Sequence, residues 1–468
     1  MSADFLHTFY SHLPDEPTKD QRDLAERMQR FLFGNYERAS FIVRGYAGTG
    51  KTTSVAALVK TLPAFKIKSV LLAPTGRAAK VMSSFSSKMA FTIHKKIYQS
   101  QKNSDGSIRM KLGNNRHKNT IFIVDEASMI SGDRSGVGRN LLEDLIDYVF
   151  QGKNCRLVFI GDIAQLPPVG SDLSPALDPK PLKNFYHLQL KGVELKQVLR
   201  QAHESGILFN ASRLREQIQH EYPKIKFYLD GFNDIHRING EELEDVLEQC
   251  YRYKGVDESM VVCRSNKRAN LFNQQIRVRI KGLDERLASG DYVMVVKNNY
   301  HWIEADSPIG FIANGDIGEV LSIGNWEERY GFTFVDVQLR LLDYPQQPPL
   351  QLKVMLDVLE VDGPSLPAEL QQHLFDSVAE EYQDLSTKRE RMEAIKTDPY
   401  FNALQIKFAY AVTAHKSQGG QWKNVIVDQG YLTEEMIDQQ YARWLYTAIS
   451  RASEQLYLLN FSEHFFSP

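Results

Sequence analysis

The sequence predicts an α/β protein: two doubly wound parallel-sheet units, the first with a hairpin insertion and the second with a small β-barrel insertion. Three observations predict it. An apolar β-branched run, Ser40-Phe41-Ile42-Val43, feeds the loop Gly45-Tyr-Ala-Gly-Thr-Gly-Lys51-Thr52 and then a helix from Ser54 to Lys60. Buried-strand runs alternate with helical stretches twice along the chain, as parallel crossovers require. Between about 290 and 350 the pattern changes to short alternating strands.

The first unit opens with a helix over Lys19 to Phe33 and has strands at Phe41, Val70, Ile121 and Leu157. Its glycine loop lies between a strand and a helix N-terminus, where several backbone N–H groups and the positive helix end converge on one anion. Gly45, Gly48 and Gly50 let the backbone close around a phosphate chain. Lys51 reaches the terminal phosphates, and the Thr52 hydroxyl suits Mg²⁺. A nucleoside triphosphate site is implied. Ile121-Phe-Ile-Val124 ends in Asp125 and Glu126, at the sheet edge where ligands collect. Asp125 suits the Mg²⁺ shell, and Glu126 suits a general base for the attacking water. Leu157-Val-Phe-Ile160 ends in Gly161-Asp-Ile-Ala-Gln165, whose amide can bond a transferring phosphoryl group. Tyr98 to Lys118 is polar around the turn signal Asn103-Ser-Asp-Gly-Ser107 and reads as a protruding hairpin.

The second unit starts near Leu190, with strands at Ser259 to Cys263, Val425 to Val427 and Leu456 to Leu459. It is interrupted by barrel strands at Asp291 to Val296, Gly318 to Ile323 and Phe332 to Leu342, and by a charged helical stretch from Glu369 to Lys396. The expected organisation is a first domain over 1–190 with its hairpin at 98–118, a second over 191–289 and 400–468, and an inserted barrel and helices over 290–399. No internal sequence repeat is evident.

At 468 residues the chain is long enough for two or three cores. No apolar run is long enough to span a bilayer, and the first residues carry no export signal. Cys155, Cys250 and Cys263 have neither zinc spacing nor a disulfide framework. A reducing, cytoplasmic setting is expected. Net charge is −2, unevenly spread: Arg77 to Asn119 holds ten Lys or Arg and one acid, and Ser259 to Leu283 holds six and none. Met355 to Thr387 inverts the sign, with eight acids. The basic stretches could line one groove for a phosphate backbone, or be solvated faces.

In this order and spacing, from Gln21 to Arg451, the motifs resemble superfamily 1 helicases of the 5′-to-3′ branch, the RecD-like and Dda-like group. The resemblance implies two RecA-like domains, a pin hairpin and an SH3-like barrel. Thr18-Lys-Asp-Gln21 resembles the adenine-reading element. The implied ATP contacts are Gln21, Gly45, Ala47, Gly48, Thr49, Gly50, Lys51, Thr52, Thr53, Gly419 and Gln421, with Mg²⁺ on Thr52 and Asp125. Lys51, Glu126 and Gln165 would act in hydrolysis, with Arg200 and Arg451 as arginine fingers from the second domain. Pro74, Thr75, Arg77, Thr92, His94, Lys95 and Tyr98, with Thr413, His415 and Lys416, would grip single-stranded DNA. Phe85 and Phe91 read as core, and Trp422 and Tyr446 as packing. Family members often carry a glutamate where Gln421 stands, so looser sugar discrimination is expected.

What the resemblance implies is an ATP- and Mg²⁺-dependent, monomeric DNA helicase moving 5′ to 3′ on single strands and at single/double-strand junctions. Repair, recombination and replication are its natural settings, and no membrane is involved. An RNA-directed helicase and a non-motor P-loop NTPase remain as alternatives at this stage.

Overall fold

A computed structural model describes residues 2–102, 108–132, 140–199, 204–304, 307 and 309–467. The apolar runs of the first unit form a six-stranded, wholly parallel sheet. Its spatial order is Ala90–Thr92, Lys68–Ala73, Thr120–Val124, Arg156–Gly161, Ala39–Gly45 and Gln189–Leu195. Helices cover both faces, which is why the strands are apolar along their length rather than alternating. On one face Leu24, Phe31 and Leu58 pack against Phe41 and Val158. On the other, Leu145 and Val149 pack against Phe122 and Phe159. Helix Lys19–Phe33 starts where expected, because Thr18 and Gln21 form a reciprocal capping box. The boundary expected after residue 190 cuts strand Gln189–Leu195, which pairs with Ala39–Gly45, so the first sheet runs to Leu195.

The second sheet is also parallel, in the order Ala411–Thr413, Ser259–Cys263, Trp422–Asp428, Ala452–Leu459 and Ile235–Ile238. Along the chain, between Ser259–Cys263 and Ala411–Thr413, lies a closed five-stranded barrel of Tyr292–Val295, Ile317–Arg329, Phe332–Leu341, Leu350–Met355 and Leu404–Phe408. Its last strand lies beyond the expected insertion limit of 399. It follows helices Ala368–Glu381 and Lys388–Thr397, then closes the barrel by pairing antiparallel to Tyr292–Val295 and parallel to Leu350–Met355.

Barrel and second domain are tied by a buried, saturated ion pair. Arg277 Nε and Nη2 each donate to Asp291 at 2.9 Å, and Asp291 also accepts from Tyr410 O–H and Ala288 N–H. Arg277 therefore lies inside the fold. Arg268 in the same basic stretch pairs with Asp428 at 2.7 Å. That stretch is not one continuous basic groove. The expected hairpin is present as Tyr98–Lys102 paired antiparallel with Ile108–Leu112, and its tip at 103–107 lies outside the described residues.

Candidate nucleotide cleft and nucleic-acid face

The glycine loop follows strand Ala39–Gly45 and precedes helix Lys51–Thr61. Gly48 and Gly50 have φ of 73° and 77°, a left-handed backbone that side chains disfavour, so these two glycines are needed for the turn. Lys51 Nζ donates to Tyr46 O at 2.8 Å and lies 3.7 Å from Asp162 Oδ2. Asp125 and Glu126 leave the end of strand Thr120–Val124 as expected. Burial first, and the Glu126 charge second, push the Asp125 carboxyl up to about 7. A divalent cation there would offset that cost, and a hydroxyl plus a carboxylate, Thr52 and Asp125, is the hard-oxygen donor set Mg²⁺ takes when phosphates and water complete its shell. Glu126 has φ of 50°, an uncommon left-handed conformation for a non-glycine residue.

Gln165 is buried, and its Oε1 has no hydrogen-bond partner. A buried acceptor left open is costly unless a ligand satisfies it. Gln21 differs from expectation. Its Oε1 accepts from Thr18 N–H at 3.0 Å and its Nε2 donates to Ser54 Oγ at 3.3 Å, so its amide is engaged within the fold. Beside it lies a pocket of about 570 Å³ lined by Asp15, Glu16, Pro17, Thr18, Arg22 and Leu199. Asp20 fixes its far wall by accepting from Lys196 and Gln197 N–H at 2.7 and 2.8 Å.

Arg200 lies outside the described residues. Arg451 is placed differently from the finger expected of it. It is 3% exposed, and donates to Thr447 O, Gly420 O and Ser450 Oγ within its own domain. Its guanidinium is spent holding the 420 segment to helix Gln439–Ile449. Gly419 and Gln421 also have first-domain neighbours. A Cβ at Gly419 would lie 2.9 Å from Ala78 Cβ, and Gln421 O accepts from Arg77 Nη2 at 2.9 Å. Both therefore sit against the first-domain helix Gly76–Ser86.

Helix Gln439–Ile449 supplies the residues that sequence reasoning missed. Tyr446, expected as packing, accepts from Ala47 N–H at 2.8 Å and donates to Asp162 Oδ2 at 2.7 Å. Arg443 donates to Ile163 O at 2.6 Å, and Thr447 Oγ1 accepts from Leu166 N–H at 2.8 Å. Gln418 donates to Leu166 O at 2.6 Å. Arg215 lies 4.4 Å above the Tyr46 ring, whose hydroxyl donates to Glu194. The phosphate loop and the Asp162–Leu166 loop are thus gripped by second-domain side chains.

On the nucleic-acid side the two domains repeat one arrangement. Ala73 pairs with Thr92 in the first sheet and Cys263 with Thr413 in the second. Each longer strand then leads to a hydroxyl N-cap, Thr75 or Ser265, and a helix. Each edge strand leads to a short helix through Thr92-Ile-His-Lys95 or Thr413-Ala-His-Lys416. The two Thr-x-His-Lys runs thus occupy equivalent places in their sheets, and Ser265 is the counterpart of Thr75. Pro74 and Thr413 are half-buried, and His415 is exposed. Thr75 and Thr92 accept cap bonds from Ala78 and Lys95 N–H, leaving each hydroxyl proton to donate. His94 packs 6.3 Å from the Phe311 ring of the barrel insertion, and burial holds its pKa below the ordinary value. Lys95 faces Tyr344. Tyr98 donates to Asp144 Oδ2 at 2.8 Å rather than presenting a free hydroxyl. Arg77 stacks 4.3 Å from the buried Trp422 ring, bridging the domains beside the groove.

Two family models match: an AAA domain over 18–237 and a UvrD-like helicase C-terminal domain over 408–459. An uncharacterised protein of Acanthamoeba polyphaga mimivirus is 23% identical over 93% of this chain and 98% of its own length. The ATP-dependent DNA helicase Dda of phage T4 is 26% identical over 63% of this chain and 64% of its own. The ATP-dependent RecD2 DNA helicase of Deinococcus radiodurans is 27% identical over 41% of this chain, which spans 24% of it. A solved structure of the Pif1 helicase from Bacteroides with ADP-AlF3 and single-stranded DNA covers 96% of this chain and 94% of its own, with a TM-score of 0.46 at 15% identity.

Proposed function

We propose that the chain is a superfamily 1 helicase of the RecD-like and Dda-like group and that it couples ATP hydrolysis to 5′-to-3′ movement on single-stranded DNA. Lys51 and the loop amides bind the phosphates, Thr52 and Asp125 hold Mg²⁺, and Glu126 activates water. Gln165 bonds the phosphoryl group through its amide N–H and leaves Oε1 to accept from the attacking water, and Arg200 is assigned the arginine-finger role. Arg451 acts indirectly, by fixing the 418–421 segment. Thr75, Thr92 and His94 on one domain and Thr413, His415 and Lys416 on the other grip the strand, chiefly through phosphates.

One observation carries this reading. The loop Asp162–Leu166 is bonded at one end to the phosphate-loop partner Tyr446 and at the other to Gln418, two residues beyond the strand-gripping Lys416. A nucleotide-dependent shift of that loop moves one DNA grip relative to the other, so each state of the nucleotide selects a different spacing. The protein works as a monomer, since both grips lie in one chain.

The test is the steady-state ATPase rate without polymer, with single-stranded DNA and with RNA. Strong stimulation by DNA is expected. Stimulation by RNA alone would reassign the substrate, and no stimulation by either would leave a non-motor NTPase.

A further inference from the structure

Tyr446 is buried at 1% exposure on a helix of the second domain, yet its hydroxyl is bonded wholly to the first. The phenol uses both of its capacities. Its oxygen accepts the Ala47 amide, one of the N–H groups of the phosphate loop, and its proton goes to Asp162. Asp162 in turn accepts from Ala164 N–H at 2.9 Å and faces the Lys51 ammonium at 3.7 Å. Three parts that must act together therefore meet at one oxygen: the phosphate loop, the loop ending in Gln165, and helix Gln439–Ile449. On that helix Arg443, one turn before, and the adjacent Thr447 hold the same Asp162–Leu166 loop.

We propose that Tyr446 is a positioning residue whose hydroxyl couples the phosphate loop to the second domain, so that DNA bound there can set the rate of hydrolysis. This rests on the helicase reading above. The hydroxyl does two things. It keeps the Ala47 amide aligned on a second-domain group, so domain movement is felt at the loop. It also takes part of the Asp162 charge, which otherwise draws Lys51 away from the terminal phosphates. Without the hydroxyl, nucleotide still binds through the remaining amides and Lys51. What is lost is the link that lets the strand grip, through Gln418 and Leu166, act on the loop.

Tyr446→Phe tests this, because it keeps the buried ring and removes both bonds. Affinity for a fluorescent ADP is expected to stay within about threefold and the melting temperature within a few degrees. The DNA-stimulated kcat is expected to fall at least tenfold, with KM for ATP changed much less. Asp162→Asn weakens the same link from the first-domain side and should lower stimulated kcat in the same direction, at least threefold. It also serves if the first variant does not fold. Equal stimulation of Tyr446→Phe and the unsubstituted protein would overturn the proposal alone. A parallel fall in ADP affinity, melting temperature and kcat would make Tyr446 a structural residue and also overturn it. Failure of single-stranded DNA to stimulate the unsubstituted protein would overturn the helicase reading, and the proposal with it.

Discussion

At the scale of single side chains, the phosphate loop presents the Lys51 ammonium between Tyr46 O at 2.8 Å and Asp162 at 3.7 Å. Both contacts can be exchanged for phosphate oxygens. Lys51→Ala should therefore abolish hydrolysis, since it removes the loop's cation. Glu126→Gln should keep nucleotide and DNA binding but lower kcat by about 10²- to 10⁴-fold, the range of one general base, because an amide cannot take the water's proton. Single-turnover hydrolysis checks both, and a normal rate in Glu126→Gln would assign the base elsewhere. These residues were legible because each belongs to a short continuous motif at a strand end. Tyr446 was not, being 399 residues from Ala47 and 284 from Asp162. On an apolar helix its spacing matches core, and nothing local marks a hydroxyl aimed at another domain. The contacts of Arg451 were not legible for the converse reason: a motif gives the residue, not which carbonyls its guanidinium meets.

At the scale of elements, the barrel touches the first domain through the turn Asn314-Gly315-Asp316. A Cβ at Gly76 would lie 2.6 Å from Asp316 Oδ1, an oxygen buried without a partner. Burial first, and Asp343 as the charged neighbour, push the Asp316 carboxyl up to about 7. A carboxyl that holds its proton more tightly when folded than its ordinary 3.8 loses stability as pH rises from about 4 to 7, and the loss persists above. Asp316→Asn is neutral throughout that range. Its melting temperature should match the unsubstituted protein at or below about pH 4 and exceed it at pH 8, on the scale of about 1–2 °C per kcal/mol for a chain of this length. Parallel curves would show that Asp316 is not ionised at a cost. The barrel itself was legible from alternation in three strands. Its closing strand Leu404–Phe408 was not, since it comes after two helices and carries no local sign of parallel pairing with Leu350–Met355.

At the scale of the molecule, two parallel sheets carry matching strand-end loops, and contacts between the two domains run through Tyr446, Arg443 and Gln418. The alternation of strands and helices made both sheets legible, whereas their mutual placement depends on contacts between distant residues. Net charge is only −2, so the nucleic-acid face depends on local clustering of cations rather than on an overall basic surface. Movement along one strand in one direction is the central claim, and unwinding of duplexes bearing a single-stranded tail tests it most directly. With ATP and Mg²⁺, a duplex with a 5′ tail should be separated and one with only a 3′ tail should not. Efficient separation from the 3′ tail would contradict the account.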